Sequence, residues 1–194
     1  MPPKPRITED TIVNAAIEVT RQKGFENINA RTVSEQLHCS TQPVMYHFST
    51  IDHLKRAVYR QIDKLHSEYL MSTLPGQDPI LRIGLNYIRF ALEEPQLFRF
   101  LFQSGYAEEN NLLEMVDSEE LVPVLEAMQK GARLTSQETR NVFITVAMFV
   151  HGYASIIANN HLEFDETLIA EHLIRTWNGA LLAAQEEKHE SDHS

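Results

Sequence analysis

Five hydrogen-bonding side chains fall within one stretch of eight positions: Ser40, Thr41, Gln42, Tyr46 and His47. They are short or planar groups that carry no fixed charge. Such groups read base edges and brace on phosphates when they lead a short helix into a DNA major groove. Arg31 lies upstream and Lys55 downstream. Both are spaced to reach phosphate oxygens, a contact that adds affinity without reading sequence.

Nothing else in the chain has the spacing of a reaction centre. There is no GxSxG, GxxxxGK[ST] or GxGxxG stretch and no evident nucleophile–base pair, so no catalytic residue is assigned. Nine histidines invite a metal. However, His151, His161 and His172 show no HExxH spacing and have no cysteine partner, so neither a metal nor a cofactor is expected. Cys39 is the single cysteine. It excludes an intrachain disulfide and any CxxC pair, and it reads as a small apolar filler.

A second group of residues is suited to holding a small molecule: Tyr87, Phe98, Phe102, Tyr106, Met148 and His151. Large apolar side chains with a few polar groups line ligand cavities. The same residues also suit a packed core, and His151 within an apolar helix is expected to have a hydrogen-bond partner. A cavity is expected between segments 78–93, 95–103 and 136–160, gated by the polar 105–111 stretch. The acid-rich surface favours a neutral or cationic ligand, unless Arg89 or Arg99 points inward.

These residues must be positioned by helices. Gly and Pro together make up 15 of 194 residues, few enough for long uninterrupted elements. No useful stretch alternates like a strand. The sequence predicts an all-α chain of about nine helices. Thr8 caps the first, which ends at Gly24. Asn29 caps a short second helix to about Leu37. After a turn at His38-Cys39, Ser40 caps a third over 41–47. Ser49 opens a fourth, whose stripe is Leu54, Val58, Ile62, Leu65 and Tyr69. Leu74-Pro75-Gly76 is the strongest linker signal.

Beyond it, helices are expected at 78–93, 95–103, about 112–116, 123–131, 136–160 and 165–186, with a frayed tail. The helix over 136–160 is apolar on most faces and is expected to be buried on most faces. Its longest apolar stretch falls short of the ~20 residues of a membrane span, so a soluble, cytoplasmic protein away from membranes is expected.

Net charge is −10, but it is unevenly spread. Residues 1–66 carry nine Lys and Arg against seven acids, and residues 67–194 carry eight against twenty. A mildly basic first part fits contact with nucleic acid, whereas the acidic remainder does not.

The run from Gly24-Phe25 through Asn29–Leu37, His38, Ser40–Tyr46 and His47-Phe48 to Leu54 resembles the DNA-binding domain of TetR (tetracycline-repressor-like) transcriptional regulators. The resemblance covers about residues 8–55. It implies a helix-turn-helix over 1–50, a connector helix over 50–71, and an effector-binding and dimerisation domain over 72–194. It also implies a homodimeric, all-helical regulator, a repressor of a pseudo-palindromic double-stranded operator, released by a small-molecule effector. In this chain His38 stands where the family has Gly, which predicts a left-handed backbone there. Met45 and Ile51 replace the family's frequent Tyr and Lys, so Tyr46 becomes the aromatic contact and Lys55 or His53 the phosphate contact. The stripe Trp177, Ala180, Leu181 and Ala184 is expected to face a two-fold mate. The competing reading is a helical enzyme or adaptor that keeps the fold without DNA binding, supported by Met45, Ile51 and the net charge.

Overall fold

The structure is a computed structural model that describes residues 7–72, 79–107, 116, 121–160 and 162–191. Among these residues there are nine α-helices, one 3-10 turn at Phe25–Asn27 and no strand. The helices are α1 (Glu9–Lys23), α2 (Ala30–Gln36), α3 (Gln42–His47), α4 (Ile51–Leu70), α5 (Pro79–Glu93), α6 (Pro95–Gln103), α7 (Val122–Ala132), α8 (Ser136–Asn160) and α9 (Glu166–Ser191). The chain divides into two compact units. One is Met1–His66 with Glu94–Ala107, and the other is Ser67–Glu93 with Glu108–Ser194. The sequence reading put α6 with the later helices. It belongs to the first unit, because its apolar side chains are buried there.

In the first unit α1 is the central element. The Thr8 hydroxyl accepts from the Thr11 amide at 3.2 Å, Glu9 and Asp10 face the positive end of the helix dipole, and Gly24 closes the helix at φ 84°. Ile12, Ala16, Ile17, Val19 and Thr20 are all buried, a wider stripe than one partner would cover, because both α2 and α6 pack on α1. Asn29 begins α2 with a full capping box: its side chain accepts from the Arg31 and Thr32 amides, and the Thr32 hydroxyl accepts from the Asn29 amide.

The turn after α2 closes with two backbone bonds, His38 N–H to Glu35 C=O at 3.2 Å and Cys39 N–H to Ser34 C=O at 3.0 Å. This is a Schellman closure with His38 in the left-handed position at φ 51°. The next two helix starts differ from the sequence expectation. Thr41, not Ser40, is the residue before α3, with helical backbone and no side-chain cap. Thr50, not Ser49, caps α4, accepting from the His53 amide at 3.1 Å. Each shift is one residue, within the usual uncertainty of a helix end. Along α4 the buried positions are Leu54, Val58, Ile62 and His66, a strict four-residue step.

The second unit is a layer of long helices in which α8 packs on both α5 and α9, with α7 against α8. Gly84 marks the closest approach: a Cβ there would lie 2.6 Å from a Leu173 methyl group. Thr135 and Glu138 form a reciprocal cap at the start of α8, and Asp165 caps α9 through the Leu168 amide at 3.0 Å. On α8 one stripe is buried: Val142, Val146, Val150, Ala154 and Ile157. The opposite face, with Met148, Gly152 and Ile156, is exposed, which corrects the expectation of burial on most faces. By length and hydropathy α8 is the one helix among the described residues that could cross a bilayer, yet its stripe packs as a core element.

Helix α7 passes Gly131 and ends at Ala132, with Arg133 left-handed at φ 56°. Helix α9 runs to Ser191 rather than stopping at Glu186, because the residues after Ala184 are good helix formers. The expected Leu74-Pro75-Gly76 linker, the Asp78 cap, most of the 105–111 and 112–116 segments and His161 lie outside the described residues.

The closure at residue 38 predicts a size-dependent response. His38→Val should destabilise the protein by about 1–2 kcal/mol, because a β-branched residue resists the left-handed region. His38→Gly should leave it within about 1 kcal/mol, since relief of backbone strain is offset by unfolded-chain entropy. Urea unfolding of the three proteins checks this, and equal midpoints would contradict the strain argument.

Candidate functional site

On the first unit, α2, the His38 turn and α3 present one polar surface. Thr41, Gln42 and Tyr46 are exposed, Tyr46 to 84%. The opposite side of α3 is anchored by Val44, fully buried, and by Phe48 just beyond it. This alternation makes α3 a short rod with one embedded side and one free side. Ser40 is also exposed, and with Gln42, Pro43, Tyr46, His47 and Ile7 it lines an open depression. Arg31, at the start of α2, is 85% exposed at its side chain and bonds Glu35 at 2.9 Å.

His47 and Lys55 are placed differently from these. Only 23% of the His47 side chain is exposed. Its Nε2 lies 3.2 Å from the Ile7 carbonyl, and its Nδ1 lies 3.6 Å from the Glu9 carboxylate. Both ring nitrogens therefore face the start of α1. The Lys55 ammonium sits over the Phe25 ring, 5.9 Å from its centre.

Helix α6 is built into the same unit. Phe100 stacks on Phe25 with centres 4.9 Å apart, and Tyr59 donates to the Leu101 carbonyl at 3.4 Å. The Arg21 guanidinium meets the Glu94 carboxylate at 3.0 Å. Just past Gly105, the Tyr106 hydroxyl donates to Asp52 at 3.1 Å, and Arg56 donates to the other oxygen of that carboxylate at 2.9 Å. The Arg56 hydrogen bond, followed by that of Tyr106, holds Asp52 below the usual carboxylate range.

The second unit contains a cavity of 410 Å³. Ile80 and Leu81 of α5, Val146 of α8, and Leu173, Ile174, Trp177 and Leu181 of α9 line it, with Gly131 and Ala132 of α7 at its edge, and it opens to solvent on one side. Elsewhere in this unit a polar relay joins α5 to α8. Tyr87 lies 2.9 Å from His151 Nδ1, and His151 Nε2 lies 3.2 Å from the Ser155 hydroxyl. Burial lowers His151 and raises Tyr87, so the ring is neutral and the phenol stays protonated. A neutral ring donates through one nitrogen and accepts through the other, so both contacts are satisfied together.

The six residues expected to meet an effector are thus divided. Tyr87 and His151 bond each other in the second unit, while Met148 is 47% exposed on α8. Phe98, Phe102 and Tyr106 belong to the first unit, where Phe98 is fully buried and Phe102 sits against His66. None of the six lines the 410 Å³ cavity.

The family model described as "Tetracyclin repressor-like, C-terminal domain" matches residues 80–177. That span is half of the chain. The chain belongs to the TetR family of transcriptional regulators. Its fold is that of solved members. A TetR-family regulator from Streptomyces coelicolor superposes with a TM-score of 0.69 at 13% identity, covering 94% of this chain and 83% of that one. The multidrug-binding protein EbrR, solved with ethidium, gives 0.60 at 21% identity, covering 87% and 97%. A TetR variant from Acinetobacter baumannii in complex with minocycline gives 0.59 at 12% identity, covering 93% and 98%. No curated protein sequence matches significantly.

In this TetR-family regulator Trp177 and Leu181, expected at a two-fold mate, line the cavity, and Ala180 and Ala184 are buried within the protomer. Periodicity identifies such a stripe but not what covers it. His66 was passed over in favour of Leu65. The four-residue step from Ile62 was available as a signal, but a titratable side chain argued against burial.

Burial holds His66 down at about 4, against an ordinary 6.5. The folded state therefore prefers the neutral ring. The resulting stability is complete above pH 6.5 and is lost as pH falls toward 4, up to roughly 3 kcal/mol. His66→Leu should remove that part of the pH dependence. Parallel urea titrations at pH 7 and pH 4.5 measure it, and an unchanged difference between the two pH values would refute it.

Proposed function

We propose that this regulator is a homodimeric repressor of a pseudo-palindromic operator, released by a small molecule. The observation that carries the reading is the exposed row Thr41, Gln42 and Tyr46 on a helix whose other side is anchored by Val44. That arrangement suits insertion into a major groove with Arg31 and Ser40 at the flanks. His47 supports α3 from behind, and Lys55, over the Phe25 ring, is the second candidate for a phosphate contact. In this reading 1–50 is the reading head, 50–71 the connector, and 72–194 the effector and dimerisation part, with α6 given over to the head.

Two apolar faces support the homodimer. Met148, Gly152 and Ile156 on α8, and Ile174, Gly179 and Leu182 on α9, are all exposed in the protomer. A Cβ at Gly152 or Gly179 would meet nothing within 4 Å, so both glycines leave room for a close helix. Two such helices from each protomer make a four-helix interface. The ligand complexes of EbrR and of the minocycline-bound protein support effector control. Helix α4 gives 51–66 to one unit and 67–70 to the other, and Asn86 holds its last carbonyls at 3.2–3.4 Å. A shift of about 1–3 kcal/mol passed along that helix changes operator affinity by 5- to 150-fold.

Binding is measured by anisotropy with a labelled duplex from upstream of the protein's own gene. Gln42→Ala should weaken specific binding by roughly 1–3 kcal/mol. Arg31→Ala should weaken all sequences alike and reduce the salt slope by about 0.9. If both variants bind the duplex like the wild type, the reading head lies elsewhere.

Assembly is tested by sedimentation. The wild type should run as a dimer, and Ile156→Glu with Leu182→Glu as a folded monomer. A charged variant that remains dimeric would move the interface off these faces.

A further inference from the structure

We infer that the 410 Å³ cavity beside Trp177 binds an uncharged, largely apolar molecule. The inference rests on the effector reading above and names the chemistry of its ligand. The cavity has the size of a small-molecule site and is walled by four helices. Val146 and Leu173 are buried, Trp177 and Leu181 are half-buried, and Ile174 at the rim is exposed, so the space runs inward from the surface of the unit.

The wall chemistry selects the ligand. Among the described residues that line it the side chains are aliphatic except for Trp177, whose indole N–H is their single side-chain hydrogen-bond donor, and none of them carries a carboxylate, guanidinium, ammonium or carboxamide. An ion taken into such a wall would lose its hydration and gain no partner, a cost far above what contact with one aromatic ring returns. Of the arginines on α5, Arg89 is held by Glu166 at 2.7 Å and lies over Phe164, and Arg82, next to Leu81, is not among the residues that line the cavity. A neutral molecule with a medium-length aliphatic chain or a fused ring system fits. One hydroxyl or carbonyl oxygen on it could meet the indole N–H.

The experiment uses a built-in reporter, because Trp177 is the only tryptophan in the chain. Full-length protein is titrated with 1-decanol, decanoate and decyltrimethylammonium, which share a chain and differ in charge. The expected result is a saturable change in Trp177 emission with decanol, with each charged analogue at least tenfold weaker. Val146→Phe and Leu181→Phe each fill the cavity, and either one, if folded by circular dichroism, should abolish the decanol response. The inference is overturned if a charged analogue binds as tightly as decanol, if the response survives both filling variants, or if no ligand gives saturation.

Operator anisotropy on the same samples separates the two claims. Decanol binding with the expected charge preference but no effect on the operator upholds the cavity and refutes effector release through it. Release of the operator by ethidium, with Trp177 emission and the filling variants indifferent to it, upholds effector control and refutes this cavity as its site.

Discussion

Phe100 is fully buried and lies nearly parallel to Phe25, their planes 6° apart. This contact joins residues 75 positions apart in sequence, and much of the first unit depends on it. Phe25 belongs to the short turn that follows α1, so the stack fixes where the chain leaves α1 and how it approaches α2. Leu97, Phe98 and Leu101 are buried alongside, and Arg21 with Glu94 closes the outer edge. Apolar burial at this scale is worth about 1.5–3 kcal/mol for each large side chain. The early helices are short, and α2 and α3 together bury only Val33, Ser34 and Val44. A borrowed helix supplies the core that they lack.

That borrowing has a functional consequence. A helix-turn-helix needs one embedded side and one free side on its reading helix, and the free side must stay polar and unpaired. Because α6 and α1 carry the core, α3 can spend Thr41, Gln42 and Tyr46 on the outside. His47 adds to this as a brace to the Ile7 carbonyl. The Schellman closure at His38 sets the angle between α2 and α3 by backbone bonds alone, leaving the side chains at the turn available to solvent.

In the second unit the same accounting runs through α8. One stripe is used against α5 and α9, where Gly84 lets the helices meet closely. Met148 and Ile156 on α8 and Ile174 and Leu182 on α9 remain exposed in the protomer. The relay from Tyr87 through His151 to Ser155 is a different kind of contact. It satisfies polar groups inside an apolar interface, where an unmade hydrogen bond costs more than a made one returns.

The sequence by itself determined the helices, most of their boundaries and the exposed polar row at the start of α3. Caps, glycine stops and the four-residue steps are local, and local chemistry acts through the next few residues. Thr8, Asn29, Gly24, His38 and Asp165 could be read that way, as could the exposed row on α3. Tertiary structure decided which unit owns α6, which of two adjacent residues on α4 is buried, and what covers each apolar stripe. Phe98, Phe102 and Tyr106, expected to meet an effector, go with α6 to the first unit, and Trp177 and Leu181, expected to face a mate, line a cavity with α5 and α7. An apolar side chain records only that it must leave water. Whether a phenylalanine, a second protomer or a small molecule takes the water's place depends on residues far away in the chain, and no period or spacing encodes that.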